Sequence, residues 1–183
     1  MKRSELRTAL RAAARVARDS EFTLIGSQAV HAYRRQPPAE VLLSQECDLY
    51  PRRHPEAAGL MDTELGRNST FARRHGFYVD VVTPDLATLP KGWEARLKPF
   101  RAGRITAFCL EVHDLLASKL AAGRLKDLEL VGALLKLRIG RTAVLSRRIT
   151  RFPLASERQT ARRRLKAVLE ELGCGDRAPK ADR

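Results

Sequence analysis

The chain has 183 residues, is 44% hydrophobic and 31% charged, and carries a formal net charge of +14. It is long enough for one domain with a buried core, and it lacks the run of about 18 apolar residues that a membrane span requires. A surface this basic attracts polyanions such as nucleic acid and nucleotides. Three scattered cysteines without a CxxC pair predict reduced thiols, so we expect a cytoplasmic protein with no membrane partner.

The first 34 residues predict a helix, a strand and a second helix. Residues 2–19 carry an apolar stripe with arginines elsewhere, which indicates an amphipathic helix that covers a sheet. An RNA-binding role for these arginines is open, although a charged helix face is usually only solvated. Residues 21–26 predict a strand and residues 27–34 a helix. At the junction, Gly26-Ser27 predicts a phosphate site, because glycine permits close approach and the helix presents free N–H groups.

Acidic and apolar residues alternate from Glu46 to Tyr50, which predicts a second strand that ends at Pro51. Alternation places Glu46 and Asp48 on one face, roughly 6.5–7 Å apart along the backbone. Two carboxylates at that separation can hold a pair of divalent cations about 3.5–4 Å apart. Cys47 should face the other way, into the core. A cation site beside a phosphate site is typical of phosphoryl or nucleotidyl transfer.

Three separated motifs resemble those of a known family. They are GSQA with S-x-E-x-D-L-Y-P (residues 26–51), LPKGWEARL (89–97) and CLEVHDLLASKLAAGRLKD (109–127). Together they resemble the nucleotidyltransferase-fold superfamily and, within it, a bacterial group of nucleotidyltransferases of unknown function. That group is distantly related to the AbiEii-type toxins.

The resemblance implies an α+β fold in which helices cover a mixed β-sheet and the C-terminal part is helical. It implies that Glu46, Asp48 and Asp80 are catalytic residues and ligands of Mg²⁺ or Mn²⁺. Glutamate at position 46 suits that role, since either carboxylate binds a hard cation. The implied binding residues for the phosphates of a nucleoside triphosphate are Gly26, Ser27, Lys119, Arg124 and Lys126.

Asp80 lies within the apolar run 77–83, which predicts a third strand after helices at 55–66 and 68–75. It is the only carboxylate within an apolar strand pattern in this part of the chain. In the superfamily, a third acidic residue on a later strand completes the metal site or acts as the base, and we assign that role to Asp80. The alternative is a structural ion pair with an arginine.

Residues 95–101 and 104–110 predict paired strands, and from Glu111 onward the hydrophobic period becomes helical. Lys119 lies on an otherwise apolar helical segment, 115–122. Because burial of an unpaired ammonium is costly, we expect Lys119 to meet a carboxylate or a phosphate. The alternative is that its long side chain reaches solvent.

We predict a nucleotidyltransferase-like domain over residues 1–140, a basic helical extension over 141–172 and a disordered tail over 173–183. The arginines of the extension are the expected contact surface for RNA or DNA. They are Arg147, Arg148, Arg151, Arg158, Arg162, Arg163 and Arg164.

Two functions of different classes fit these features. The first is a metal-dependent transfer of a nucleoside monophosphate to an acceptor such as RNA or protein. The second is a non-catalytic basic module that binds nucleic acid on the same fold. Three retained carboxylates argue against the second, because they repel phosphate unless a metal is present. The likeness to AbiEii-type toxins adds a toxin–antitoxin or phage-defence setting, with an antitoxin as partner.

Overall fold

A computed structural model describes residues 1–173, which form one mixed β-sheet and the helices around it. The strands are β1 (Glu21–Leu24), β2 (Glu46–Pro51), β3 (Tyr78–Val81), β4 (Lys98–Ala102) and β5 (Ile105–Cys109). Their order across the sheet is β3-β2-β1-β5-β4. The pairs β1–β2 and β4–β5 are antiparallel, whereas β1–β5 and β2–β3 are parallel. This mixed sheet confirms the predicted α+β class.

The helices occupy most of the remaining chain. They are α1 (Arg3–Ala17), α2 (Ala39–Leu43), α3 (Ala58–Leu65), α4 (Thr70–His75), α5 (Val112–Ala122), α6 (Leu125–Lys136), α7 (Thr142–Ile149) and α8 (Ala155–Glu171). Short 3₁₀ helices lie at Ser27–Ala32, Pro55–Ala57, Pro84–Leu86 and Glu94–Arg96. Within residues 1–173, no helix is both long enough and apolar enough to cross a membrane.

Three segments differ from the sequence-based expectation. The predicted helix at 27–34 is a 3₁₀ helix of six residues, Ser27–Ala32, so no α-helix begins at the predicted phosphate turn. The predicted helix at 55–66 starts with a 3₁₀ turn at Pro55–Ala57, a form that is common at helix N-termini. The predicted strand at 95–101 begins only at Lys98, after a 3₁₀ turn at Glu94–Arg96.

The two faces of β2 have different surroundings. Cys47 and Leu49 are fully buried, and α1 packs against β2, β3 and β5 on that side. The burial of Cys47 confirms its predicted packing role. Glu46 and Asp48 point to the opposite face, where they line one cavity with Lys119 of α5. The alternation of β2 therefore separates the core from a polar cavity.

Helices α7 and α8 pack against α5 rather than projecting from it. On α7, the Arg148 side chain reaches Asp114 of α5 at 3.1 Å. Residues 142–149 and 155–171 are thus two helices joined by a short turn, as the predicted helical region allowed. Residues 174–183 of the predicted tail lie outside the described residues.

Candidate active site

Three carboxylates meet at the edge where β2 and β3 run side by side. Glu46 and Asp48 share a face of β2, and Asp80 of β3 is the direct parallel partner of Asp48 in the sheet. Neighbouring strands lie about 4.8 Å apart, so the carboxylates of Asp48 and Asp80 are close. All three line a cavity of about 360 Å³. The structure therefore gathers the predicted catalytic carboxylates in one place.

Gly26 makes room for Asp48. The preceding residue holds this segment beside β2, because the Ile25 N–H donates to the Asp48 carbonyl at 3.2 Å. A Cβ atom built on Gly26 would lie 1.3 Å from Oδ2 of Asp48. The backbone at position 26 is extended and not left-handed, so the need for glycine is one of space. Any side chain there displaces the central carboxylate of the cavity.

The cavity leaves two of its carboxylates without cationic partners. Within residues 1–173, neither Asp48 nor Asp80 forms an ion pair. Burial, with the charges of Glu46 and Asp80 adding to it, raises the pKa of Asp48 to about 6, and nearby Lys119 offsets only part of this. Burial and the charge of Glu46 likewise raise the pKa of Asp80. A local excess of negative charge like this favours binding of a cation.

Glu46 differs from the two aspartates because it has partners. Lys126 Nζ lies 2.6 Å from Oε1 of Glu46, and the Tyr78 hydroxyl donates to Oε2 at 3.3 Å. Although burial alone would raise the pKa of Glu46, these two partners lower it. Arg67 in turn donates to the Tyr78 hydroxyl at 2.6 Å. Glu46 is therefore a charged carboxylate held in a fixed position at the rim.

The cations of the cavity are anchored by one buried carboxylate, Asp127, whose side chain is 1% exposed. Lys119 Nζ lies 2.9 Å from its Oδ1, and Arg124 donates to both oxygens at 2.7 and 3.2 Å. These bonds lower the pKa of Asp127, against the effect of burial. Lys119 thus meets a carboxylate, one of the two partners predicted for it. Sequence reasoning noticed Asp127 only as part of a motif and gave it no role.

The turn between α5 and α6 sets the place of these cations. Helix α5 ends at Gly123, which has φ +67°, and a left-handed residue there suits glycine. Arg164 of α8 donates to the carbonyls of Leu120 and Ala121 at 2.8 and 2.5 Å. A Cβ on Gly123 would lie 2.0 Å from Cζ of Arg164. A C-terminal helix therefore clamps the end of α5 that carries Lys119.

Six of the eight predicted site residues line the cavity. They are Gly26, Glu46, Asp48, Asp80, Lys119 and Arg124. Ser27 is buried beside it, and its hydroxyl accepts from the amide of Gln28 at 3.4 Å. Lys126 lies at the rim, on Glu46. Two hydroxyls that the sequence did not single out, Thr88 and Ser118, also line the cavity.

The donor set suits a hard divalent cation. Carboxylate oxygens are the ligands that Mg²⁺ and Mn²⁺ prefer, and Glu46, Asp48 and Asp80 line the same cavity. In the described part of the chain, no three Asp, Glu, His or Cys side chains are already drawn together around a single point. Mg²⁺ commonly takes only one or two carboxylates and completes its shell with water and substrate phosphate. The residues present therefore fit such an ion.

Comparison with known proteins gives one result. A model of the family described as "Nucleotidyltransferase of unknown function (DUF6036)" matches residues 17–137, well over half of the chain. No curated protein and no solved structure matches. The matched region contains every residue assigned above to the cavity, whereas Arg164 and helices α7 and α8 follow it.

Proposed function

The chain belongs to this family of nucleotidyltransferases of unknown function, and we propose that it transfers a nucleoside monophosphate from a nucleoside triphosphate to an acceptor, with Mg²⁺ or Mn²⁺. One observation carries the proposal. Asp48 and Asp80, adjacent on parallel strands, line a cavity together and have no cationic partner in residues 1–173, while Lys119 and Arg124 line its other side. A phosphate chain and a divalent cation together complement that distribution of charge.

In this proposal the acidic residues bind the cation and the basic residues bind the phosphates. A divalent ion, when bound by Asp48, Asp80 and Glu46, would supply charge neutralisation at the phosphates. Lys119 and Arg124, held rigid by Asp127, stabilise the negative charge that develops on the phosphate oxygens. Gly26 leaves the space that the Asp48 carboxylate occupies, and so sets the place of that ligand. Positioning and charge stabilisation are the main contributions in reactions of this class.

The transfer step requires a base for the acceptor. An acceptor hydroxyl oxygen bonds to the α-phosphorus, the bond from that phosphorus to the bridging oxygen breaks, and pyrophosphate leaves. The hydroxyl proton passes to a carboxylate of the cavity. Asp80 takes this role in the arrangement in which Glu46 and Asp48 alone hold the ion.

The direct experiment is incubation of the protein with α-³²P-labelled nucleoside triphosphates, Mg²⁺ and total RNA or cell lysate. We expect label to move to an RNA or protein band, and Asp48→Asn to abolish the transfer. Calorimetry with millimolar Mg²⁺ and each triphosphate checks binding separately. Absence of both label transfer and nucleotide binding would remove the transferase function.

The non-catalytic alternative makes a different prediction about the same cavity. Clustered carboxylates repel phosphate when no cation is bound. In a module that only binds nucleic acid, Asp48 and Asp80 would therefore not increase the affinity. If that alternative holds, Mg²⁺ leaves the melting temperature unchanged, and Asp48→Asn strengthens nucleic-acid binding without costing any activity.

The resemblance to AbiEii-type toxins supports a toxin or phage-defence setting as part of this proposal. If the protein acts as a toxin through its transfer reaction, its expression slows cell growth. The Asp48→Asn variant, expressed to the same level, leaves growth normal. Equal growth inhibition by both proteins would mean that any toxicity does not depend on the cavity.

A further inference from the structure

A second concave surface lies between α1 and α4. We define this α1–α4 groove by its lining residues: Thr8, Arg11, Ala12, Arg15, Val16, Glu64, Leu65, Thr70, Phe71, Arg74 and His75. Its volume is about 680 Å³. Nothing in the transfer chemistry described above uses it.

One wall of the groove carries a row of arginines. Arg11 and Arg15 line the groove one helical turn apart on α1, and Arg7 precedes them by another turn. Four helical residues rise about 6 Å, so the row presents a cation at regular intervals. All three side chains are exposed, and within residues 1–173 none forms an ion pair. Their charge is therefore available to a ligand.

The opposite wall carries a cluster of aromatic rings packed at an angle to one another. Phe71 and His75 of α4 lie 4.5 Å apart between ring centroids, and Phe77 meets the Phe71 ring edge-on at 5.5 Å. His75 is exposed, whereas Phe71 is half-buried. Arg74, exposed beside them, adds a further cation to this wall. The rings are thus fixed by their neighbours while one of them remains open to a flat partner.

The charge of the lining selects the class of ligand. Arg11, Arg15 and Arg74 oppose a single carboxylate, Glu64, so the lining has a net charge of +2 with His75 neutral. The exposed large hydrophobic residues of the described chain all lie outside the groove, which disfavours a membrane surface. A row of cations facing aromatic rings is the arrangement with which proteins hold single-stranded nucleic acid.

We propose that the α1–α4 groove binds single-stranded nucleic acid, with Arg11, Arg15 and Arg74 on phosphates and His75 stacked on a base. Helix α1 packs on the face of β2 that carries Cys47, opposite to the face of Glu46 and Asp48. The groove therefore binds its ligand without occupying the carboxylate cavity. Binding does not depend on the proposed transfer reaction.

The test is fluorescence anisotropy with a fluorescein-labelled 12-nucleotide RNA of mixed sequence and the full chain, from 50 to 200 mM salt. The groove variant is Arg11→Gln/Arg15→Gln, and the matched control is Arg101→Gln/Arg104→Gln, two exposed arginines at the β4–β5 hairpin. Both doubles remove two positive charges from exposed positions, and their melting temperatures check that both variants fold equally well.

We expect the groove variant to bind at least tenfold more weakly at 100 mM salt, and the control less than twofold. The slope of log affinity against log salt should fall by about 1.4, since each lost phosphate contact on a single strand removes about 0.7. His75→Ala should weaken binding about fivefold or more without changing that slope. Asp48→Asn should leave binding intact.

Three results would overturn the proposal. The first is an absence of RNA binding by the intact protein at 50 mM salt. The second is an equal loss in the groove variant and the hairpin control, which would mean that only total charge matters. The third is displacement of the RNA by poly-glutamate at the same charge concentration, which would indicate an acidic protein as the partner. Each of these leaves the label-transfer experiment, and thus the transferase function, untouched.

Discussion

Carboxylates of two kinds are withdrawn from solvent in this fold. Asp127 and Asp114 are buried with cations on both sides: Lys119 and Arg124 for the first, Arg96 and Arg148 for the second. Asp48 and Asp80 are partly or largely buried with no such partner in the described residues. A buried carboxylate bonded to cations of the chain has a structural role, even where burial still raises its pKa, as it does at Asp114. A carboxylate without such a cation indicates a site for a ligand that brings positive charge.

The strongest test of this comparison substitutes the unpartnered carboxylates. Asp80→Asn should lower label transfer by about 10²–10⁴-fold, the typical contribution of an acid–base group, and Asp48→Asn should abolish it. The melting temperature without metal should stay level or rise, because the repulsion among clustered charges is relieved. Glu171→Gln, an exposed change of the same charge on α8, serves as the control. An apo protein that is destabilised by Asp80→Asn, with its Mg²⁺ response unchanged, would place Asp80 among the structural carboxylates.

The partnered carboxylate should respond in the opposite way. Asp114→Asn removes the common partner of Arg96 and Arg148 from a site that is fully buried. We expect a loss of about 3–5 kcal/mol in the free energy of unfolding, since breaking a buried ion pair leaves uncompensated charge. Urea denaturation measures it. The Mg²⁺-induced rise in melting temperature should persist, and its disappearance would show that Asp114 also belongs to the cavity.

A smaller effect is expected at Arg164, which acts on the cavity only through α5. Arg164→Ala removes two hydrogen bonds from the guanidinium to the carbonyls of Leu120 and Ala121. A hydrogen bond from a charged group typically contributes about 1.5–3 kcal/mol to stability. Because the same helix end carries Lys119, KM for the triphosphate should rise more than kcat falls. Arg164→Lys should restore part of that KM.

Arg163→Ala, the exposed neighbour on α8, is the matched control for Arg164→Ala. Equal changes of KM in both variants would mean that Arg164 contributes only its share of the surface charge. A loss of stability with an unchanged KM would make it a purely structural residue.

The smallest effect concerns pH and has opposite signs at Asp48 and Asp127. The folded-state pKa of Asp48, about 6, lies above its ordinary value of 3.8. The folded protein therefore binds the proton more tightly, and stability without metal should decline as pH rises from about 4 to about 6. Mg²⁺ or Asp48→Asn should flatten this decline. The pKa of Asp127 is lowered, so its contribution is present above its unfolded value and lost below about pH 4.

The sequence predicts which carboxylates face the cavity, but it does not predict which side chains they meet there. The alternation of Glu46, Cys47 and Asp48 fixes their faces, since a strand has period two. The apolar setting of Lys119 predicted a charged partner. The identity of that partner, Asp127, depends on a turn of α5 into α6 that no periodicity specifies. Pairing of Asp48 with Asp80 likewise depends on strand register, which tertiary packing decides.

The type of helix that follows Gly26 is a second feature that the sequence did not predict. Residues 27–34 have the apolar spacing of a helix, yet the chain tightens into a 3₁₀ turn of six residues. Spacing over so few residues does not distinguish the two helices. A third such feature is the role of Arg164 of α8. A count of charges does not reveal that its side chain already bonds to the backbone of α5.

The contact between Gly26 and Asp48 gives position 26 a use in reading related sequences. A chain with the same motifs and any larger residue at that position cannot keep its aspartate where this one stands, since even a methyl group would overlap the carboxylate oxygen. Under the proposed function, such a chain would keep the fold and lack this ligand of the cation. The residue at position 26 therefore predicts which related sequences keep the carboxylate site.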